Sequence, residues 1–114
     1  MNGTILIYGN EEVLLTTRQL ILEKAGYQVF SAKNVATALR ALVNEPIDAL
    51  LLCQSLSEDE RRRTLETARA VKPDIKIVVF CVNGLEIKAN NEQAFTSLLG
   101  PATLVKTISR LINT

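Results

Sequence analysis

Apolar residues in this chain come as short, nearly unbroken runs separated by longer stretches in which apolar and polar positions mix. Ile5-Leu6-Ile7-Tyr8 is one run and ends at Gly9-Asn10. Asp48-Ala49-Leu50-Leu51-Leu52-Cys53 is another, with Pro46 just before it and Gln54-Ser55-Leu56-Ser57 after it. Residues 75–82 form the strongest, turned by Asn83-Gly84. A short apolar run bounded by turn signals is too short for a helix and reads as a strand buried on both faces, the mark of a parallel sheet with helices above and below. Residues 27–31 alternate only weakly and read as a half-buried, edge-like strand, and residues 94–99 read as the last strand.

The mixed stretches read as helices. Residues 11–25 carry Val13, Leu14, Leu20, Ile21, Leu22 and Ala25 as an apolar stripe, with Glu11 and Glu12 suited to the helix dipole and Gly26 as the stop. Asn34 can cap a second helix through Ala38, Leu39, Leu42 and Val43, which Pro46 ends. Ser57 followed three residues later by Glu60 is a capping box, opening a helix to about Val71, before Pro73. Residues 85–93 are polar, with room for two turns of helix. After the Gly100-Pro101 turn, residues 103–112 present Leu104, Val105, Ile108, Leu111 and Ile112. Strand and helix thus alternate five times. That order means right-handed crossovers and an α/β, three-layer, doubly wound domain over residues 1–114. In such sheets the functional crevice lies beyond the carboxyl ends of the strands, so Cys53 marks where chemistry would sit.

Composition narrows the chemistry. The 114 residues make one domain, long enough to bury a core without staples, and 47% of them are apolar. The net charge of +1 offers nothing to nucleic acid or to an anionic membrane. No apolar stretch reaches the roughly 18 residues of a membrane span, and Met1-Asn2-Gly3-Thr4 does not open like a signal peptide. A cytoplasmic location with reduced cysteines follows by default. There is no histidine, which removes the commonest general base and transition-metal ligand, and two cysteines alone make no zinc site. Glu58-Asp59-Glu60 followed by Arg61-Arg62-Arg63 reads first as acids at a helix start and then a solvated basic turn; the sharper reading is a docking patch for an acidic partner.

Across essentially its whole length the chain resembles the receiver domain of two-component response regulators. The resemblance is carried by Ile5-Leu6-Ile7, by Ala25-Gly26-Tyr27-Gln28-Val29 leading into the second strand, by Pro46-Ile47-Asp48-Ala49-Leu50-Leu51-Leu52 leading into the third, and by Pro101 after the fifth. It implies a flavodoxin-like five-stranded sheet of order 2-1-3-4-5. It also implies a phosphorylation pocket, and there the match fails. The acidic pair that holds magnesium falls at Gly9 and Asn10, the phosphoacceptor aspartate at Cys53, the Ser or Thr after strand four at Cys81, and the lysine before the proline at Gly100. The aromatic of strand five falls at Ser97, and the segment from Cys81 to Gly100 is a few residues short, which clips the fourth helix.

These losses act together. Aspartyl phosphorylation needs an ionised carboxylate and a divalent cation, and magnesium wants hard oxygen ligands. Glu11 is the nearest acid left. The expectation is a non-enzymatic pseudo-receiver, without metal or cofactor, that acts by phosphorylation-independent binding. Its partner would be a signalling protein, an output domain or a second copy of itself. The resemblance puts the binding face at roughly residues 85–112, with Leu85, Ile87, Phe95, Ser97, Leu98 and Leu104 as members, some of them core. Two further readings stay open: a residual phosphorelay receiver using a non-standard acid such as Glu11, and a thiol redox sensor. For Cys53 and Cys81 the choice is between small buried hydrophobes filling the altered pocket and a reactive pair on neighbouring strands. A phosphate-binding turn at Gly9-Asn10 has one glycine where a cradle needs several.

Overall fold

The computed structural model describes residues 3–53, 56–81, 92–96 and 101–112. Five strands, β1 (Thr4–Tyr8), β2 (Gln28–Ala32), β3 (Ala49–Leu52), β4 (Lys76–Cys81) and β5 (Glu92–Thr96), form one sheet of order β2-β1-β3-β4-β5. Every pairing is parallel. Four helices are described: α1 (Glu12–Lys24), α2 (Val35–Asn44), α3 (Glu58–Val71) and α4 (Pro101–Ile112). None of the described helices is long and apolar enough to cross a membrane.

The two-residue period of a strand sorts the core into two halves. Ile5, Ile7, Ala49, Leu51, Cys53 and Val78 face one way and meet Leu15 and Leu22 of α1 and Leu104 and Ile108 of α4. Leu6, Tyr8, Leu50, Leu52, Ile77 and Val79 face the other way and meet Ala38 and Leu42 of α2 and Leu65 and Ala68 of α3. β1 and β3 are buried at every position, as their unbroken apolar runs require. Each large aliphatic side chain so buried contributes about 1.5–3 kcal/mol. β2, at the edge, keeps a mixed pattern of buried and exposed positions.

Local signals end the elements where expected. Gly26 adopts φ 103° after α1. Its N–H donates to the Glu23 carbonyl and that of Tyr27 to the Leu22 carbonyl, at 3.0 and 3.1 Å, the paired bonds of a Schellman stop. The Asn34 side chain accepts from the Thr37 N–H at 2.9 Å. Ser57 and Glu60 form the reciprocal capping box. Asp59 pairs with Arg62 and Arg63 in water, so the acid-then-arginine run is a solvated helix face.

Three expectations are corrected. Val13 and Leu20 do not join the α1 stripe; they are 77% and 60% exposed. The buried face is Leu15, Arg18 and Leu22, and at 3.6 residues per turn Val13 and Leu20 fall roughly opposite it. The last strand, Glu92–Thr96, begins at Glu92 rather than at Ala94, because Ile77–Cys81 of β4 pairs residue for residue with Glu92–Thr96; residues 97–99 of the expected strand lie outside the described residues. Glu92 and Gln93 therefore begin a strand, and the rest of the expected short helix, residues 85–91, lies outside the described residues. Pro101 is the first residue of α4, two residues earlier than the apolar pattern placed it.

The α3 capping box predicts a local cost. Ser57→Ala should destabilise the domain by about 1 kcal/mol, read as a lower urea midpoint with unchanged slope.

Candidate functional site

The carboxyl end of the sheet carries Gly9, Asn10, Cys53 and Cys81. Gly9 and Asn10 follow β1, Cys53 follows β3, and Cys81 is the last residue of the adjoining β4, in register with Thr96 of β5. Gly100 lies outside the described residues, as do Leu85, Ile87, Ser97 and Leu98 of the expected binding face. Phe95 pairs with Phe80 in the ladder. Leu104 is one of the core members of that set: at 4% exposed it packs against the sheet.

Gly9 and Cys53 are in direct contact. β1 and β3 are paired up to Tyr8 and Leu52, and the Cys53 N–H continues the ladder to the Tyr8 carbonyl at 2.9 Å. Gly9 donates on its other side to the Ala32 carbonyl at 3.1 Å. A Cβ on Gly9 would lie 2.7 Å from the Cys53 Cβ and 2.9 Å from its Sγ, with Leu15 behind. Both distances are far inside van der Waals contact. Any side chain at position 9, an aspartate included, would need the two strand ends to shift. Glycine is required here by the approach of Cys53 rather than by a left-handed backbone.

Cys53 is 3% exposed and has no disulfide partner. Burial pushes its thiol up from the usual range; Arg18 beside it, as a cation and a hydrogen-bond donor, pulls the other way, while Glu11 adds to the rise. Burial wins, so the thiol is protonated at neutral pH, the state of a packing cysteine rather than a nucleophile. Arg18 is the member of this site that sequence reasoning missed. It sits on the sheet-facing stripe between Leu15 and Leu22, and only its spacing of three and four residues from those leucines could have revealed it.

On the other face, Glu60 ties the end of β1 to the start of α3. Its carboxylate accepts from the Tyr8 hydroxyl at 3.2 Å, from the Asn10 amide at 3.3 Å and from the Ser57 N–H at 3.0 Å. The Ser57 backbone bond is the main reason the Glu60 carboxyl lies below its ordinary range, and the Asn10 and Tyr8 bonds add to it. Tyr8 is pushed up to about 12, by burial first and then by the Glu60 charge. The Asn10 amide nitrogen thus donates to a structural carboxylate.

The described residues at this end of the sheet do not fit a hard divalent cation. Position 9 has no side chain and no room for one, the Asn10 amide is held by Glu60, and Cys53 is a buried neutral thiol. Glu11 is exposed at the N-cap of α1. Among the described residues no group of three or more Cys, Asp or Glu side chains could hold a metal ion.

Two outcomes follow. Gly9→Ala should cost about 1–3 kcal/mol through overpacking. The same change should cost less in a Cys53→Gly background, because the Cβ–Cβ overlap has gone; additive costs in a denaturation cycle would contradict the contact. Tyr8 binds its proton more tightly folded than unfolded. The folded state therefore loses stability as pH rises from about 10 towards 12. Tyr8→Phe should flatten that part of the urea-midpoint profile. Glu60 acts oppositely: its contribution is present above the ordinary carboxylate range and is lost as pH falls through its lowered folded value.

No protein-family model matches the chain, and no curated protein matches it. Solved structures do. A response-regulator receiver protein from Sinorhizobium medicae WSM419 superimposes with a TM-score of 0.82 at 22% identity, covering 98% of this chain and 95% of that one. A CheY-like receiver domain protein from Methanospirillum hungatei JF-1 gives 0.82 at 24%, covering 99% and 95%. The receiver domain of a sensor histidine kinase from Pseudomonas aeruginosa PAO1, with a magnesium ion coordinated in its active-site cleft, gives 0.84 at 20%, covering both chains fully. The fold of this chain is that of the response-regulator receiver domain.

Proposed function

We propose that this chain is a pseudo-receiver: a signalling module of the two-component type that works by binding another protein, without being phosphorylated. The observation that carries this reading is the contact between Gly9 and Cys53. A receiver places one of its metal-binding acids at the first position and its phosphoacceptor at the second. Here a protonated thiol is packed against bare backbone at that same point. Transfer to an aspartate needs a carboxylate nucleophile and a cation to offset the phosphoryl charge, and neither side chain at this contact supplies one. What the fold retains is its surface, and function resides in sites rather than folds.

The partner is a signalling protein, an output domain or a second copy of the chain, met in the cytoplasm. The burial of Leu104 takes it out of the contact set, so the binding face draws on other residues. The buried, protonated Cys53 disfavours thiol redox sensing as the main activity.

Incubation with a small phosphodonor and magnesium should leave the intact mass unchanged, and beryllofluoride should not perturb the amide NMR spectrum. A phosphoryl mass increase would overturn the reading and restore a phosphorelay role using a non-standard acid such as Glu11.

A further inference from the structure

β2 closes one side of the sheet without the devices that usually guard an edge. It pairs with β1 alone, and Gln28 to Ala32 stay in register with Thr4–Tyr8 without a bulge. The strand holds no proline and no charged residue, the common means of blunting an edge. Lys33, just beyond it, is ion-paired with Glu12 at 2.8 Å. The Gln28 N–H donates to the Gly3 carbonyl, and the Ala32 carbonyl accepts from the Gly9 N–H. In a parallel ladder, alternate residues turn their backbone groups to the same neighbour. Gln28, Phe30 and Ala32 therefore bond to β1, and the N–H and C=O groups of Val29 and Ser31 point away from it.

On the α2 side of this edge lies a hollow of about 210 Å³, lined by Phe30, Thr37, Arg40, Ala41, Asn44 and Glu45. Phe30 packs against the core layer under α2 and is only half-buried. Arg40 and Glu45 stand at the two ends of this stretch of chain, and neither is in an ion pair among the described residues.

We propose that β2 pairs antiparallel with β2 of a second copy, joining two sheets into one across a twofold axis at Phe30. The edge is self-complementary in three ways. The register that uses both outward residues of each copy sets Val29 opposite the partner's Ser31 and Ser31 opposite the partner's Val29, each pair exchanging its backbone bonds. The same register sets Phe30 opposite the partner's Phe30 in a non-hydrogen-bonded pair, where side chains approach most closely, so each ring covers the other's hollow. The two α2 helices then run antiparallel on one face, which brings Arg40 of each copy towards the partner's Glu45. An unrelated strand would satisfy the backbone row; the aromatic pair and the charge exchange select a second copy. Such a dimer rests on the pseudo-receiver reading in one respect, that the module works by binding, and it uses neither the Gly9–Cys53 contact nor the β5 edge.

Sedimentation and hydrogen exchange on the intact chain test it. The chain should pass from monomer to dimer between about 10 μM and about 1 mM. Over that range the Val29 and Ser31 amides should exchange about tenfold more slowly or better. Arg40→Glu sets like charges against the partner's Glu45 and should weaken the dimer about tenfold, summed over two symmetric pairs. Adding Glu45→Arg restores opposite pairs and should recover the dimer. Ser31→Pro removes an outward donor and no bond to β1, and should leave a folded monomer. A monomer at every concentration overturns the proposal and leaves the edge to a strand of another protein. A dimer whose Val29 and Ser31 amides are not slowed overturns it too, as does one that Arg40→Glu does not weaken. If Ser31→Pro does not fold, the exchange rates and the charge swap decide. None of these readouts involves phosphodonor labelling, so failure of the dimer leaves the unphosphorylated state of the module as it stands.

Discussion

β1 and β3 have no face turned to water. Each lies between neighbours in the sheet and between helices above and below, and all nine of their positions are buried. Strands so enclosed must be apolar throughout, must satisfy their backbone groups within the ladder, and must present side chains of the right volume to two different layers at once. The crossovers that put α1 and α4 on one side and α2 and α3 on the other meet that demand. The demand also sets how closely the two strand ends can converge, and at the carboxyl end they converge on Gly9 and Cys53.

That convergence gives the crevice its chemistry. Where strand ends splay, carboxylates can gather and share a cation. Here Gly9 and Cys53 touch, and among the described residues the polar groups stand to either side of them. On one side Glu60 gathers Tyr8, Asn10 and Ser57, so the loop after β1 is fastened to α3 by a carboxylate that already has its partners. On the other side Arg18 is buried on the sheet-facing stripe of α1, and its charge opposes the upward push of burial on the Cys53 thiol. Both arrangements use charge for positioning, and neither leaves a free carboxylate aimed at the strand ends.

Much of this could be read from residue order. The runs at 5–8, 48–53 and 75–82 could only be enclosed strands. Gly26, Asn34, Pro46 and the Ser57–Glu60 box ended or began helices because their effects act within four residues along the chain. Cys53 was singled out by its place at a strand end and Gly9 and Asn10 by the resemblance to receiver domains, and Gly9 and Cys53 do meet. Arg18 was not, because an arginine among leucines reads as a surface residue until the packing of its helix is known. The stripe of α1 was misjudged for the same reason. Leu20, Ile21 and Leu22 are consecutive, and nothing local says which of them faces the sheet.

The sequence by itself determined the order of the strands along the chain, the ends of the first three helices and the parallel sheet, because each depends on residue type and near-neighbour spacing. Only the tertiary structure decided which face of α1 is buried, where β5 begins, that Leu104 is core, and that position 9 has no room for any side chain. Those depend on distances between segments far apart in the chain, such as the 2.7 Å that a Cβ on Gly9 would leave to Cys53, and no periodicity along a single strand or helix encodes them.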